Sequence, residues 1–348
     1  MSMLSTNHTP LEFSGSPRRC GKLYGESQAE AIEAFLYKEV PPDRKRLEYA
    51  RRCWERLRSW EKPVVEFVRG MSDGSGLNLA ETTLLLLHEE IVHMKNCTAF
   101  GATGSGTKDR SPVIGQNWDW STTLYPWSGL LKLRTDSAPA TLTYTYPGLW
   151  ACAGINEHGL SLVWTSSGYL PKINPVVGIP TYALIAGIFG CSNCRAAIAL
   201  LERTAIAGCF IFFLADARGE VWVVEGFPGH VHTEQCEDVI SRANHYQCRS
   251  ACQATNQRVP KASIKNNTRS RAGRMTELLH QHRGRIIAKT AEALLCDHGV
   301  KPGLDICQHT IPGKQTMTLD SFYALPAKRE FRIARGLPCR HEYRIYRV

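Results

Sequence analysis

The chain has 348 residues, of which 43% are hydrophobic and 21% are charged, so disorder is excluded as the default state. Its net charge of +10 is compatible with nucleic acid, anionic lipid or acidic substrates as partners. The most basic segment, 256–274, lacks the interleaved aromatic residues of a base-stacking surface. We therefore predict a solvated basic loop there, with a phosphate-binding patch as the alternative, and no nucleic-acid partner.

The thirteen cysteines bear on the cellular compartment. The first residues lack the basic and apolar regions of a signal peptide, and no stretch is long and apolar enough to span a membrane. We therefore expect a cytoplasmic protein without membrane contact, whose cysteines are free thiols. Two close pairs, Cys191 with Cys194 and Cys248 with Cys252, are weak zinc candidates, and buried or helix-capping thiols are favoured instead. No metal and no cofactor are expected.

Residues 1–96 have the periodicity of helices, with helical segments at 25–39, 41–61 and 77–95. Asn78 is the predicted N-cap of the third. Its segment HEEIVH (88–93) resembles a zinc-protease motif in composition, but its histidines are five positions apart, whereas one helix face requires four. His88 and His93 are therefore predicted to be ordinary helix residues.

After residue 95 the pattern changes to short strand-like runs, with hairpins predicted at 156–159 and 215–220. Helices are predicted at 181–190 and 194–204, the second capped by Ser192 or Asn193, and further helices near 271–282 and 289–298. The glycine-rich segment 101–108 lacks phosphate-loop spacing and is predicted to be a hairpin loop. The C-terminal segment returns to strands, so the whole pattern predicts a layered α+β fold.

Cys97 lies where the helical pattern gives way to the strand pattern. It can be read as a small buried hydrophobic residue. If the Asn96–Cys97 bond were cut, however, the freed α-amine would have a pKa of about 7.7–8.0, close to that of a good general base at neutral pH. Nucleophile and base would then belong to one residue. Asn117 and Asp119, one strand later, could supply polar groups beside it, and Asn244 could supply a carboxamide donor.

Several segments follow one another in a specific order: NCTAF, GQNWDW, CAGINEHGLSLVWTS, RANHYQ, DICQH and ARGLPCRHEY. Together with the opening FSGSPRRCGKLYGESQAEAI, they resemble the isopenicillin N acyltransferase-like family of N-terminal nucleophile hydrolases, related to the choloylglycine hydrolases. The resemblance covers about residues 12 to 345. It implies a four-layer αββα sandwich of two antiparallel sheets, preceded by a helical segment. It also implies a precursor that cuts itself into 1–96, a small helical chain, and 97–348, the catalytic domain.

The resemblance also implies roles for individual residues. Cys97 matches the nucleophile, Asp119 the carboxylate that orients the freed amine, and Asn244 the carboxamide of the oxyanion hole. Gln116 matches the acyltransferase branch at a substrate-contacting position where choloylglycine hydrolases carry arginine. Gln308, a second candidate for substrate binding, stands where the family commonly has arginine.

The implied function is hydrolysis of a small N-acyl compound through a thioester. An acyl-CoA-dependent N-acyltransferase and an inactive binding protein that keeps the fold remain alternatives. Asn96 departs from the glycine that the family often has before the nucleophile. The expected partners are the small-molecule substrate, the chain's own cleaved N-terminal segment and a second copy in a homodimer.

Overall fold

The computed structural model describes residues 9–92, 96–167, 176–259, 261, 267–299, 305–313 and 315–348. Within them, helices flank two β-sheets. The helices are α1 (Pro17–Glu39), α2 (Arg44–Leu57), α3 (Lys62–Ser75), α4 (Leu79–Leu86), α5 (His88–Val92), α6 (Thr181–Ile188), α7 (Cys194–Glu202), α8 (Arg249–Thr255), α9 (Thr268–Gln281) and α10 (Ala288–Leu295).

One sheet has eight strands in the order β1 (Leu11–Gly15), β4 (Gly129–Thr135), β5 (Thr141–Thr145), β6 (Ala153–Asn156), β7 (Ser161–Ser166), β8 (Phe210–Ala215), β9 (Val221–Phe227) and β10 (His230–Gln235). The other has six, in the order β11 (Val239–Arg242), β2 (Thr98–Ala102), β3 (Val113–Ser121), β12 (Thr316–Leu325), β13 (Glu330–Arg335) and β14 (Arg344–Arg347). Apart from the parallel pair β1–β4, the paired strands are antiparallel.

Large aromatic side chains join the two sheets. The Trp118 ring on β3 lies 5.8 Å from that of Trp164 on β7 and 5.6 Å from that of Tyr144 on β5, between ring centroids. A second apolar core packs helices α9 and α10 against the outer face of the six-stranded sheet, through Met275 and Leu295 among others. Helices α1 to α7 share the first core with the eight-stranded sheet. The predicted αββα sandwich is therefore confirmed.

The N-terminal segment differs from the helical prediction in three places, of which one is α3, a helix between the predicted segments 41–61 and 77–95. Residues Leu11–Gly15 form a strand that pairs in parallel with β4. A strand this short is formed only when its partner strand is in place, and the helical prediction from local sequence therefore missed it. The predicted third helix is divided at Leu87, and its N-cap Asn78 forms the expected cap together with Glu81. His88 is buried against Phe35, as an ordinary helix residue would be, and His93 lies outside the described residues.

Most predictions for the rest of the chain are confirmed. The two hairpins join β6 to β7 and β8 to β9, Asn193 caps α7, and the C-terminal segment forms strands. The basic segment 256–274 was predicted to be a solvated loop, which is wrong for its last part. Residues 268–274 belong to α9, where Arg271 is fully buried, whereas 260 and 262–266 lie outside the described residues.

The thirteen cysteines are free thiols, as predicted. In the two pairs considered as zinc ligands, Cys191, Cys194 and Cys252 direct their thiols to backbone carbonyls, as buried thiols do. Among the described helices, none has both the length and the apolar character that crossing a bilayer requires.

Glu90 on α5 holds the start of α6 through its carboxylate. Its Oε1 accepts from the Thr181 N–H at 2.8 Å and from the Thr181 hydroxyl at 2.7 Å, whereas Oε2 has no hydrogen-bond partner among the described residues. Burial raises the Glu90 pKa to about 7, although the bonds to Thr181 lower it. Because the folded pKa lies above the unfolded one, the folded chain holds this proton more tightly.

Replacing Glu90 with glutamine is expected to flatten the dependence of stability on pH. Glu90 contributes about 3 kcal/mol to the free energy of unfolding below pH 4.5, because its carboxyl binds a proton more tightly in the folded chain. This contribution is lost as the pH rises through about 7. Denaturant unfolding of full-length protein at pH 5 and pH 8 measures it. Glu90→Gln should lose less stability than wild type, whereas exposed Glu33→Gln should follow wild type. An equal change in the free energy of unfolding between pH 5 and pH 8 in wild type and both variants would contradict a raised pKa of Glu90.

Candidate functional site

Four neighbouring strands bring the predicted site residues to one end of the six-stranded sheet. The register pairs Thr98 with Asn117 and Thr318 with Asp119, and Arg242 with Ala99. Because these strands are antiparallel, the starts of β2 and β12 lie beside the ends of β3 and β11. Residues far apart in sequence therefore meet at this end of the sheet.

Cys97, immediately before β2, is fully buried in the uncut chain. Burial and then the charge of Asp119 raise the pKa of its thiol to about 12, although the Asp119 backbone N–H, which hydrogen-bonds to the sulfur, lowers it. The thiol is therefore protonated at neutral pH in this state, and a reaction would require its proton to be removed.

Asp119 points its buried carboxylate at two donors. Oδ1 accepts from the Thr318 hydroxyl at 2.6 Å and Oδ2 from Gln308 Nε2 at 2.5 Å. A register shift between Thr318 and Asp320 on β12 accompanies this arrangement. Such bulges redirect side chains near functional sites. The Asp119 carboxylate is thus held near the end of the sheet, beside the Cys97 thiol.

Gln308 contacts both Asp119 and the bond before the nucleophile. Its Nε2 donates to the Asn96 carbonyl oxygen at 2.9 Å as well as to Asp119, and its Oε1 accepts from Asn267 at 3.0 Å. A neutral amide cannot replace the bidentate charged pairing of arginine, but its two N–H groups serve the carboxylate and the carbonyl together. The flanking residues, Cys307 and His309, are of types that bind metals.

Arg271 of α9 is the main site residue that the sequence analysis missed. Its guanidinium donates to the carbonyl oxygen of Cys97, to the Thr98 hydroxyl at 2.6 Å, to Asn244 Oδ1 at 2.7 Å and to Asn267 Oδ1 at 3.0 Å. The sequence carries one signal for it. Arg271 shares the helical spacing of Met275 and Leu278, so it falls on the buried face of α9.

Asn244, two residues after β11, is joined to Cys97 through Arg271. Because an arginine can only donate, the Asn244 oxygen faces it and the amide nitrogen points away. That nitrogen donates to the Ser166 carbonyl at 3.1 Å, and the Asn244 backbone N–H donates to the Thr268 hydroxyl at 2.8 Å. The orientation of this carboxamide is therefore fixed by its neighbours.

Gln116 and Asn96 complete the surroundings of the thiol. The Gln116 side-chain oxygen accepts from the backbone N–H of Trp164 at 2.7 Å, while its amide contacts the Cys97 thiol and lowers the thiol pKa. The described non-glycine residues with positive φ do not include Asn96. The backbone there consequently accepts a side chain in place of glycine.

The side chain of Asn117 has a structural role, because it connects separate backbone segments. Its Nδ2 donates to the carbonyls of Leu295 and Ile306, at 2.8 and 2.9 Å, and so ties β3 to the end of α10 and to the segment before Gln308.

The αββα sandwich, with the buried Cys97 immediately before β2, is the arrangement expected of an N-terminal nucleophile hydrolase. Residues 105–331, well over half of the chain, match the profile of the acyl-coenzyme A:6-aminopenicillanic acid acyl-transferase family. The chain belongs to this family, and it is therefore an enzyme of amide-bond chemistry. No curated protein sequence matched the chain significantly.

Several solved structures are similar to the chain. An N-acylethanolamine-hydrolyzing acid amidase ortholog from Caenorhabditis elegans is 12% identical, with 66% of this chain and 93% of that one covered, at a TM-score of 0.46. A conjugated bile acid hydrolase variant from Clostridium perfringens is 14% identical, with coverages of 72% and 97%, at 0.49. Penicillin V acylase from Agrobacterium tumefaciens is 16% identical, with coverages of 72% and 84%, at 0.46. The family assignment rests on the sequence match alone.

Proposed function

We propose that the chain cuts itself between Asn96 and Cys97 and then hydrolyses a small N-acyl compound through a thioester on Cys97. The observation that carries this proposal is the Gln308 hydrogen bond, at 2.9 Å, to the carbonyl oxygen of Asn96. That oxygen belongs to the bond to be cut, and the thiol beside it is in contact with the backbone of Asp119. A donor on a carbonyl oxygen stabilises the negative charge that develops there during attack.

In the cleavage step, the Cys97 sulfur attacks the carbonyl carbon of Asn96. The C–N bond breaks, the thiol proton passes to the departing nitrogen, and Asn96 is left as a thioester on Cys97. Water then hydrolyses the thioester and leaves Cys97 with a free α-amine and a free thiol. Arg271 holds the Cys97 carbonyl throughout, which limits movement of the bond during the step.

In the catalytic step, the α-amine of Cys97 removes the thiol proton, and the sulfur attacks the acyl carbon of the substrate. The C–N bond of the substrate breaks as the proton passes to the leaving amine, and water then hydrolyses the thioester to release the acid and the free thiol. Asp119 orients the amine through its fixed carboxylate, and Asn244 with a backbone N–H stabilises the oxyanion. Gln116, against the thiol, and Gln308 would contact the substrate. Residues 1–96 would remain bound as a small chain because β1 is part of the eight-stranded sheet and α1 is part of its core.

The substrate class follows from the family, whose description names an acyl-coenzyme A donor and an amine acceptor. The similar structures are named as an N-acylethanolamine-hydrolyzing acid amidase, a conjugated bile acid hydrolase and a penicillin V acylase. Hydrolysis with water as acceptor is our first choice. Transfer from acyl-CoA to an amine by the same thioester is the second, supported by the family description.

Intact mass of freshly purified protein tests the cleavage. Wild type should give two chains, 1–96 and 97–348, the second beginning at Cys97, whereas Cys97→Ala should remain one chain of 38.9 kDa. Cys248→Ala, at a half-buried cysteine that is not among the proposed catalytic residues, is the matched control and should be cut like wild type.

A mass-spectrometric panel of N-acyl compounds then tests the activity, with acyl-CoA and amine acceptors in separate reactions. Released acid in water indicates hydrolysis, and a new amide indicates transfer. An uncut wild-type chain would refute the self-processing claim, and equal turnover by Cys97→Ala would refute the thioester mechanism.

A further inference from the structure

Four side chains that are not among the proposed catalytic residues converge beside Gln308. They are His298 after α10, Cys307 and His309 on the segment before β12, and Cys339 after β13. One ligand-type atom from each lies within 4.8 Å of every other. Cys307 is buried, His309 is half-buried, and His298 and Cys339 are exposed, so an ion could enter from solvent.

We propose that these four residues form a Cys₂His₂ site for Zn²⁺. With Zn–S bonds of about 2.3 Å and Zn–N bonds of about 2.05 Å, a tetrahedral site separates its sulfurs by about 3.8 Å, its nitrogens by about 3.4 Å, and sulfur from nitrogen by about 3.6 Å. Here Cys307 Sγ and Cys339 Sγ are 3.7 Å apart, and the Nε2 atoms of His298 and His309 are 3.1 Å apart. His309 Nε2 lies 3.8 Å from Cys307 Sγ and 3.3 Å from Cys339 Sγ.

These separations favour a metal over the two alternatives. A disulfide requires sulfurs about 2.05 Å apart, much closer than those of Cys307 and Cys339. A network of hydrogen bonds needs only pairwise contacts, whereas here all four ligand atoms lie within 4.8 Å of one another. Two imidazoles and two thiolates in a tetrahedron are a donor set that selects zinc among common divalent ions. Each thiol that binds loses its proton, so binding releases protons to solvent.

Four protein ligands leave no open position, which makes this a structural rather than a catalytic metal site. Its place in the fold gives it a consequence for the reaction centre. Gln308 stands between two ligands, Cys307 and His309, and it holds both the Asn96 carbonyl and Asp119. The ion would therefore fix the segment that carries Gln308, and it would also tie this segment to α10 and to the turn at Cys339.

The backbone around the ligands is already anchored. The Cys307 N–H donates to the Asp297 carbonyl at 2.9 Å, and Arg274 of α9 holds the Asp297 carboxylate with two hydrogen bonds. Such supporting contacts orient ligands before an ion binds. Sequence spacing gave no sign of this site, because its ligands come from three separate segments, and no metal was expected.

Metal content tests the proposal directly. Full-length protein, purified through a tag without histidines and analysed by inductively coupled plasma mass spectrometry, should hold about one zinc per chain. After chelation, titration with ZnCl₂ against a competing dye should restore it, and CoCl₂ should give the intense absorption of tetrahedral thiolate-bound cobalt. Cys307→Ser and Cys339→Ser should each weaken zinc binding more than about 100-fold, because even supporting residues commonly contribute 10- to 100-fold.

Cys296→Ser, at a nearby cysteine outside the cluster, is the matched control and should keep the zinc, as should Cys97→Ala, which separates this proposal from the proposed activity. Wild-type titration decides the question even where a ligand variant does not fold. Absence of zinc binding by the wild type, equal zinc in wild type and both ligand variants, or a Cys307–Cys339 disulfide in place of the metal would overturn the proposal.

Discussion

Replacing Asp119 with asparagine is expected to slow acylation of Cys97 by about 10²- to 10⁴-fold, the usual contribution of a positioned acid or base. The carboxylate accepts from Thr318 and Gln308 and is proposed to hold the freed amine. An asparagine keeps the shape but turns one acceptor into a donor that faces another donor. It also removes the charge that stabilises the ammonium form.

The effect of Asp119 on the thiol pKa separates two explanations of a slower reaction. The charge of Asp119 raises the pKa of Cys97, so its loss would by itself favour the thiolate. A slower reaction in Asp119→Asn would therefore report loss of the oriented amine rather than loss of thiolate. The same loss of charge should lower the pKa of the amine and shift the rising limb of the pH–rate profile to lower pH.

Release of nitrophenolate from an acyl 4-nitrophenyl ester, measured under single-turnover conditions across pH, follows the acylation. Thr318→Val is the matched variant, because it removes one hydrogen bond to the carboxylate but keeps its charge, and its rate should fall by about tenfold or less. A rate and pH profile in Asp119→Asn equal to those of wild type would show that the carboxylate does not orient the amine.

Replacing Arg271 with methionine is expected to lower the free energy of unfolding by about 3–5 kcal/mol. The substitution leaves several buried acceptors without their donor, and each such group costs about 1–3 kcal/mol. They include the Cys97 carbonyl and the oxygen of Asn244. Without Arg271, the Asn244 carboxamide can turn over, and the bond before Cys97 is less firmly held.

Denaturant unfolding measures the first effect, and the rate of chain cleavage during refolding measures the second. Exposed Arg269→Met on the same helix is the control and should change stability by no more than about 0.5 kcal/mol. Arg271→Lys keeps the charge but cannot reproduce the planar set of donors, and should recover stability more than cleavage. Wild-type cleavage by Arg271→Met, at a temperature where its circular dichroism is native, would contradict a positioning role.

The order of elements after residue 95 could be predicted from sequence because it depends on local patterns. Turn residues marked the hairpins of β6–β7 and β8–β9, and cap chemistry placed the start of α7 at Ser192 or Asn193, of which Asn193 is the cap. The short strand β1 could not be found in this way. Its five residues are paired only after the distant β4 has formed.

The sequence by itself determined the family, the layered fold and the candidates Cys97, Asp119 and Asn244, because these follow from motifs and their order. The tertiary structure decided how the candidates are held. Along the chain, Arg271 is 174 residues from Cys97, and Gln308 is 189 residues from Asp119, although each pair is in contact. Such contacts depend on strand register and helix packing, which no local pattern contains. For the same reason the four side chains of the proposed zinc site became visible only in the folded chain.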